Sequence, residues 1–171
     1  MRQARAVKSA YGRALDRLAR RDHTEKEVQR GLSRDGFGAR DVAAALGRLK
    51  QQGLIDDRAV AERFARSRLA HHGLGRLRIR RALAIRGVTR SATEAALREA
   101  LTEVPEAEVL DALAQRYWRQ RSREAPRQRL RKLWAFLLRR GFPADLTRER
   151  LSALWPRWRD ALEDLEEASD E

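Results

Sequence analysis

Three glycines, each followed by a large apolar residue, constrain this chain more than any other feature: Gly36 in RDGF, Gly87 in IRGV and Gly141 in RRGF. Eight residues before them stand Val28, Ile79 and Leu133, and four before stand Leu32, Leu83 and Leu137. Ten residues after come Leu46, Leu97 and Leu151, and thirteen after come Leu49, Ala100 and Leu154. Every register position is apolar. Spacings of four and three on either side of a glycine are the buried stripes of two helices, with the glycine in the left-handed position that ends the first. The pattern predicts a helix, a glycine turn and a second helix, three times over.

The turns lie 51 and then 54 residues apart, more than two ordinary helices need. A third helix fits each remainder: Ala6 to Arg21 with Leu15 and Leu18, Asp57 to Ala70 with Ala61, Phe64, Ala65 and Leu69, and Glu106 to Arg121 with Val109, Leu110, Leu113 and Tyr117. Helix-start signals agree, since Thr24 with Glu27 forms a capping box, Asp56 or Asp57 suits a cap, and Pro126 suits a first turn. The expectation is an all-α chain of three tandem three-helix repeats, stacked into an elongated, curved body. The repeats are placed at 1–57, 58–102 and 103–159, followed by an acidic C-terminal tail at 160–171.

Composition narrows the partners. A 42% hydrophobic content over 171 residues supports a core. No apolar run approaches the roughly 18 residues of a membrane span, and the start MRQARAVKSAYGRAL lacks the apolar block of a signal peptide, so a cytoplasmic, non-membrane protein is expected. The absence of cysteine removes thiolate chemistry and disulfides, and three histidines, His23, His71 and His72, make a metal site unexpected; no cofactor is implied. The net charge of +13 is unevenly spread, because Asp160 to Glu171 holds seven acidic residues and no basic one. Residues 1–159, with 38 basic against 18 acidic residues, carry +20. Such a body attracts polyanions without regard to their sequence.

The stretch HHGLGRLRIRRALAIRGV, His71 to Val88, concentrates that charge. Gly73-Leu74-Gly75 lacks the spacing, lysine and preceding strand of a nucleotide-binding loop and reads as a helix lead-in. Ile79 and Leu83 occupy core positions, which places Arg78 and Arg81 away from the core and Arg76 and Arg80 on its flank. The apolar residues here read as structural and the arginines as exposed; a membrane-surface helix would need a broader apolar face with bulky aromatics. A helix-turn-helix reader of base sequence is also disfavoured. The second helices, GARDVAAALGRLK and RSATEAALREAL, are alanine-rich, of mixed charge and without the asparagine or glutamine that reads base edges.

Charge lies mainly in the second and third repeats, with 11 basic against 3 acidic residues over 58–102 and 10 against 5 over 103–141. The expected polyanion contacts are Arg76, Arg78, Arg80, Arg81, Arg121, Arg127, Arg131 and Lys132. The adjacent Asp56 and Asp57 leave a helix cap in different directions, so they read as capping groups and an anchor for a neighbouring arginine, not as a catalytic pair. No catalytic constellation is visible. Of Trp118, Trp134, Trp155 and Trp158, at least two are expected in the core.

The middle of the chain resembles a known family. GLIDDRAVAERFARSRL followed by GLGRLRIRRALAIRGV is similar to the signature region of RecX, bacterial regulators of the recombinase RecA. Asp56 and Asp57 match its acidic pair, Ala61 its alanine, Ser67 and Arg68 its helix end, and Gly75, Ile79, Leu83, Arg86, Gly87 and Val88 its second half; Val60 stands where an aromatic is usual. Leu137, Arg140, Gly141 and Phe142 meet a weaker third-repeat pattern, so the resemblance covers residues 10 to 155. It implies a three-repeat helical protein that binds within the groove of the RecA filament on DNA and restrains its strand-exchange and co-protease activities; a monomer without enzymatic activity, acting on filaments on single-stranded DNA in DNA repair, recombination and the SOS response, is expected. The alternative is a free-standing, non-specific nucleic-acid-binding protein.

Overall fold

The computed structural model of the protein describes residues 9–155, and among these are nine helices and no strand. They are α1 (Ala10–Leu18), α2 (Glu25–Arg34), α3 (Ala39–Gln51), α4 (Asp57–Ala70), α5 (Arg76–Arg86), α6 (Arg90–Glu103), α7 (Glu106–Gln120), α8 (Pro126–Arg140) and α9 (Ala144–Leu154). The acidic tail and Trp158 lie outside the described residues.

The three glycines do what their spacing requires. Gly36, Gly87 and Gly141 take φ values of +89°, +91° and +88° at the ends of α2, α5 and α8. In each case the next N–H reaches back five residues to a helical carbonyl, Phe37 to Leu32, Val88 to Leu83 and Phe142 to Leu137, at 3.2, 3.1 and 3.3 Å. This is the Schellman closure of a helix C-terminus, and the left-handed residue inside it strongly favours glycine. All twelve register positions are buried except Leu154, which is half-buried against the third repeat's core.

Caps form as their chemistry dictates. Thr24 and Glu27 close a full capping box on α2. Asp56 Oδ1 accepts from Ala59 N at 3.0 Å to cap α4, Thr89 Oγ1 from Ala92 N at 3.3 Å to cap α6, and Pro126 opens α8. The first helix is shorter than the expected Ala6 to Arg21. It begins after Ser9, whose hydroxyl accepts from Gly12 N, and buries Ala10 and Ala14, while Leu15 and Leu18 are half-buried at the margin. Small alanines let α1 lie close to α3, so the bulkier leucines fall to its flank. Phe64 is likewise half-buried, with the Arg68 guanidinium over its ring.

Two compact units divide the chain, one holding residues up to Arg63 with Leu83–Ala96, the other Phe64–Ala82 with Leu97 onward. The middle repeat contributes to both. The first unit contains a core of Ala10, Ala14, Val28, Leu32, Val42, Ala45, Leu46, Leu49 and Ile55. The second contains a core of Leu110, Ala114, Tyr117, Leu130, Leu133, Leu137, Phe142 and Leu151, against which Trp118, Trp134 and Trp155 pack.

Gly36 and Gly47 isolate the backbone contribution, because a Cβ at either meets nothing within 4 Å, yet only Gly36 has positive φ. Gly47→Ala, within α3, is expected to raise stability by about 0.5–1 kcal/mol, and Gly36→Ala to lower it by about 1 kcal/mol or more. Urea denaturation of the two variants checks this; shifts of the same sign would contradict the turn geometry.

Candidate interface for nucleic acid and partner protein

The arginine-bearing helix α5 is fastened at each end by hydrogen bonds between helix termini. In the first unit, buried Thr24 donates its hydroxyl to Arg86 O at 2.6 Å while accepting from Glu27 N. The α2 N-terminus thereby meets the α5 C-terminus, and the Lys26 stem lies so close to Gly87 that a Cβ there would approach its Cδ to 2.3 Å. Arg86 returns across the joint, its Nη2 and Nε donating to the two Glu27 carboxylate oxygens at 2.9 and 3.1 Å. Asp57 Oδ1 then accepts from Glu25 N at 2.8 Å.

The second unit repeats the device one repeat further on. Gly75 N donates to Arg140 O at 2.9 Å and Leu77 N to Gly141 O at 3.0 Å, so the α5 N-terminus meets the α8 C-terminus. Glu106 Oε1 accepts from Arg76 N at 2.6 Å, as Asp57 does from Glu25. A Cβ on Gly75 would stand 2.4 Å from Gly141 C and O and Phe142 N, so backbone touches backbone there. Helix N-terminal N–H groups carry partial positive charge and lack intrahelical acceptors; carbonyls at a helix C-terminus and a carboxylate supply both needs. The same bonds leave the N–H groups of Gly75, Arg76 and Leu77 engaged, so the glycine pair cradles no phosphate.

Electrostatics follow from these joints. Burial works against the charge on Glu27, but the Arg86 guanidinium and the Thr24 N–H outweigh it and hold the carboxyl at about 2. Glu106 moves the other way: burial pushes it up, against the Arg76 N–H and the Arg76 guanidinium 3.3 Å away. Asp57 departs from the expected arginine anchor, since it accepts instead from a backbone N–H of another helix.

The expected contact residues separate into groups. Arg78 and Arg81 are exposed and Arg76 and Arg80 half-buried, as their register requires. Arg76 faces Glu106, and Arg78 Nη1 donates to Arg139 O at 3.0 Å, so both serve the joint. Arg121 is half-buried over the Tyr117 ring, with Glu124 3.6 Å away, and Lys132 pairs with Glu124 at 3.1 Å. Arg127 and Arg131 are exposed. Arg81 and Arg131 have neither a hydrogen bond nor an ion pair among the described residues. Among the family-matching positions, Gly75 and Gly87 lie in the joints and Ile79 and Leu83 in the core. Leu77 and Ile85 correct the expectation that every apolar residue of this stretch is structural, being 46% and 67% exposed.

Two residues that hold these elements together carried little signal in the sequence. Glu106 was legible only as the first acidic residue after Pro105, in the place Asp57 holds one repeat earlier. Arg129 carried no distinguishing signal: it is 8% exposed, its guanidinium 3.5 Å over the Trp118 ring, with Nη1 donating to Trp118 O and Arg121 O at the end of α7. Among the described residues, no group of three or more His, Asp or Glu is placed to hold a metal, and no helix is long and apolar enough to cross a membrane.

Comparison with known proteins matches three family models in order along the chain. RecX, first three-helix domain, covers residues 10–49; RecX, second three-helix domain, 56–97; and RecX, third three-helix domain, 105–151. The chain is 37% identical over 145 residues to a regulatory protein RecX of Chromohalobacter salexigens, covering 83% of this chain and 90% of that one. It is 37% identical over 139 residues to one of Pseudomonas putida, covering 81% and 86%. The crystal structure of RecX from Lactobacillus salivarius superposes with a TM-score of 0.75 at 25% identity, covering 85% of this chain and 94% of that one. A further RecX crystal structure gives 0.71 at 30% identity, covering 80% and 67%.

The joints generate two expectations. Gly75→Ala, forced against backbone that cannot swing aside, is expected to lower stability by about 1–3 kcal/mol in a denaturation experiment; parent-like stability would contradict the close approach of α5 to α8. Glu27, with a folded pKa of about 2 below its ordinary 4.5, contributes stability above pH 4.5 that is lost as pH falls toward 2. Glu27→Gln is therefore expected to be less stable at neutral pH and to show a flatter decline in urea midpoint over that window, a profile measured from pH 2 to 7.

Proposed function

Since the chain belongs to the RecX family of regulatory proteins, we propose that it binds the RecA filament on single-stranded DNA and modulates its recombinase and co-protease activities. The family match over all three repeats carries this reading. The role calls for a binding surface. Arg81 and Arg131 supply positive charge not neutralised within the described residues, and exposed Leu77, one turn from Arg81, adds apolar area. A surface of arginine with scattered leucine suits a protein–nucleic-acid filament, where phosphates and acidic side chains alternate with protein surface.

A second reading, a free-standing non-specific nucleic-acid binder, is favoured by the +20 charge of residues 1–159. The two part on one comparison: affinity for RecA on single-stranded DNA against affinity for the same DNA alone, at one salt concentration. Tighter binding to the filament, with strand exchange lowered below equimolar protein, is expected; equal affinity would favour the second reading. Arg81→Ala with Arg131→Ala should leave stability within about half a kcal/mol per site. The pair should flatten the plot of log affinity against log salt by about 0.7–0.9 for each phosphate the protein ceases to neutralise.

A further inference from the structure

We propose, resting on the RecA reading and deepening it, that the exposed surface where α5 meets α8 docks an acidic, apolar-bearing protein surface, so that the RecA protein of the filament, and not its DNA, covers this part of the chain. Hydrogen bonds gather the residues concerned. Leu77 N donates to Gly141 O at 3.0 Å and Gly141 N to Leu138 O at 2.9 Å, so both leucines stand one hydrogen bond from the same glycine. Arg78 lies against that turn as well: a Cβ on Gly141 would stand 2.4 Å from Arg78 Cβ, and Arg78 Nη1 donates to Arg139 O at 3.0 Å. Arg81 follows Leu77 by one turn of α5.

Leu77 and Leu138 are 46% and 37% exposed, two of the four large apolar side chains so exposed among the described residues. An exposed leucine gains only from another apolar surface, having no donor for a phosphate and no ring face on which a base stacks. Arg78, Arg81 and Arg139 are exposed, and none has a carboxylate partner among the described residues. Charge complementarity therefore calls for acidic groups opposite them. A phosphate backbone would satisfy the arginines and leave both leucines in water, whereas carboxylates set around apolar side chains suit all five residues. Because Gly75 N and Leu77 N are already bonded to Arg140 O and Gly141 O, the backbone beneath this surface is held before a partner arrives, which lowers the ordering cost of docking.

p-Benzoyl-phenylalanine in place of Leu77, and separately of Leu138, in the full-length protein reports what lies over each position. With RecA bound to a mixed-sequence single-stranded oligonucleotide as probe, irradiation is expected to join both positions to RecA. Adducts to the oligonucleotide, or the lack of a RecA adduct at either position, would overturn the proposal. Affinity supplies a second test. Leu77→Ser with Leu138→Ser should keep the parent's urea midpoint, weaken binding to the RecA filament about tenfold, and leave binding to the oligonucleotide alone unchanged. Arg139→Ala should likewise weaken filament binding alone. Equal losses on both targets would mean that nucleic acid occupies this surface, and the proposal would fall, as it would if filament affinity did not change. A parent protein that binds the filament no more tightly than the bare oligonucleotide would instead end the RecA reading, and this inference with it.

Discussion

The architecture depends on how the N-terminal N–H groups of α2 and α5 find acceptors. Within its own helix such a group has no partner, and burying it unpaired costs as much as a lost hydrogen bond or more. In each case a carboxylate at the start of a later helix accepts one of them, Asp57 from Glu25 N and Glu106 from Arg76 N; α2 meets the rest of its need with its own Thr24–Glu27 capping box, while α5 donates Gly75 N and Leu77 N to the carbonyls of Arg140 and Gly141. A repeat cut from its successor would leave these groups exposed to water or orphaned.

This arrangement limits what α5 offers to a partner. Its Arg76 and Arg78 lie at the same end as Gly75, and their side chains answer Glu106 and the Arg139 carbonyl before they answer anything outside. Arg86 is committed at the other end to Glu27. A helix with many arginines thus presents fewer available charges than its composition suggests, and Arg81 stands out beside Leu77. The ends of this helix are engaged within the fold, and Leu77 and Arg81 lie exposed between them.

Arg129 shows the same principle with a different outcome. It stands two residues from Arg131 on the same helix, yet its guanidinium lies over an indole and closes the carbonyl end of α7, while Arg131 reaches solvent. An arginine stacked and bonded to carbonyls needs no carboxylate, since the carbonyls at a helix C-terminus carry the compensating partial charge. Nothing in PRQRLRK separates the two, because the difference is made by Trp118 on another helix.

The sequence by itself determined the helices, their turns and most of the core. Positive φ at a Schellman turn favours glycine, and burial at a period near 3.6 selects leucine, valine, isoleucine and alanine; both are local rules that can be counted along the chain. It also determined the surplus of positive charge and the family. It placed Leu15 and Leu18 too deep, and it assigned Asp57 to an arginine, because closeness between helices is set by alanine packing and helix-end hydrogen bonds made across the repeat boundary. Only the tertiary structure decided which arginines are engaged within the fold and which are exposed. A guanidinium reaches several ångströms from its backbone, so its partner is chosen by whatever carbonyl, ring or carboxylate the fold brings within that reach, and residues far apart in the chain supply it.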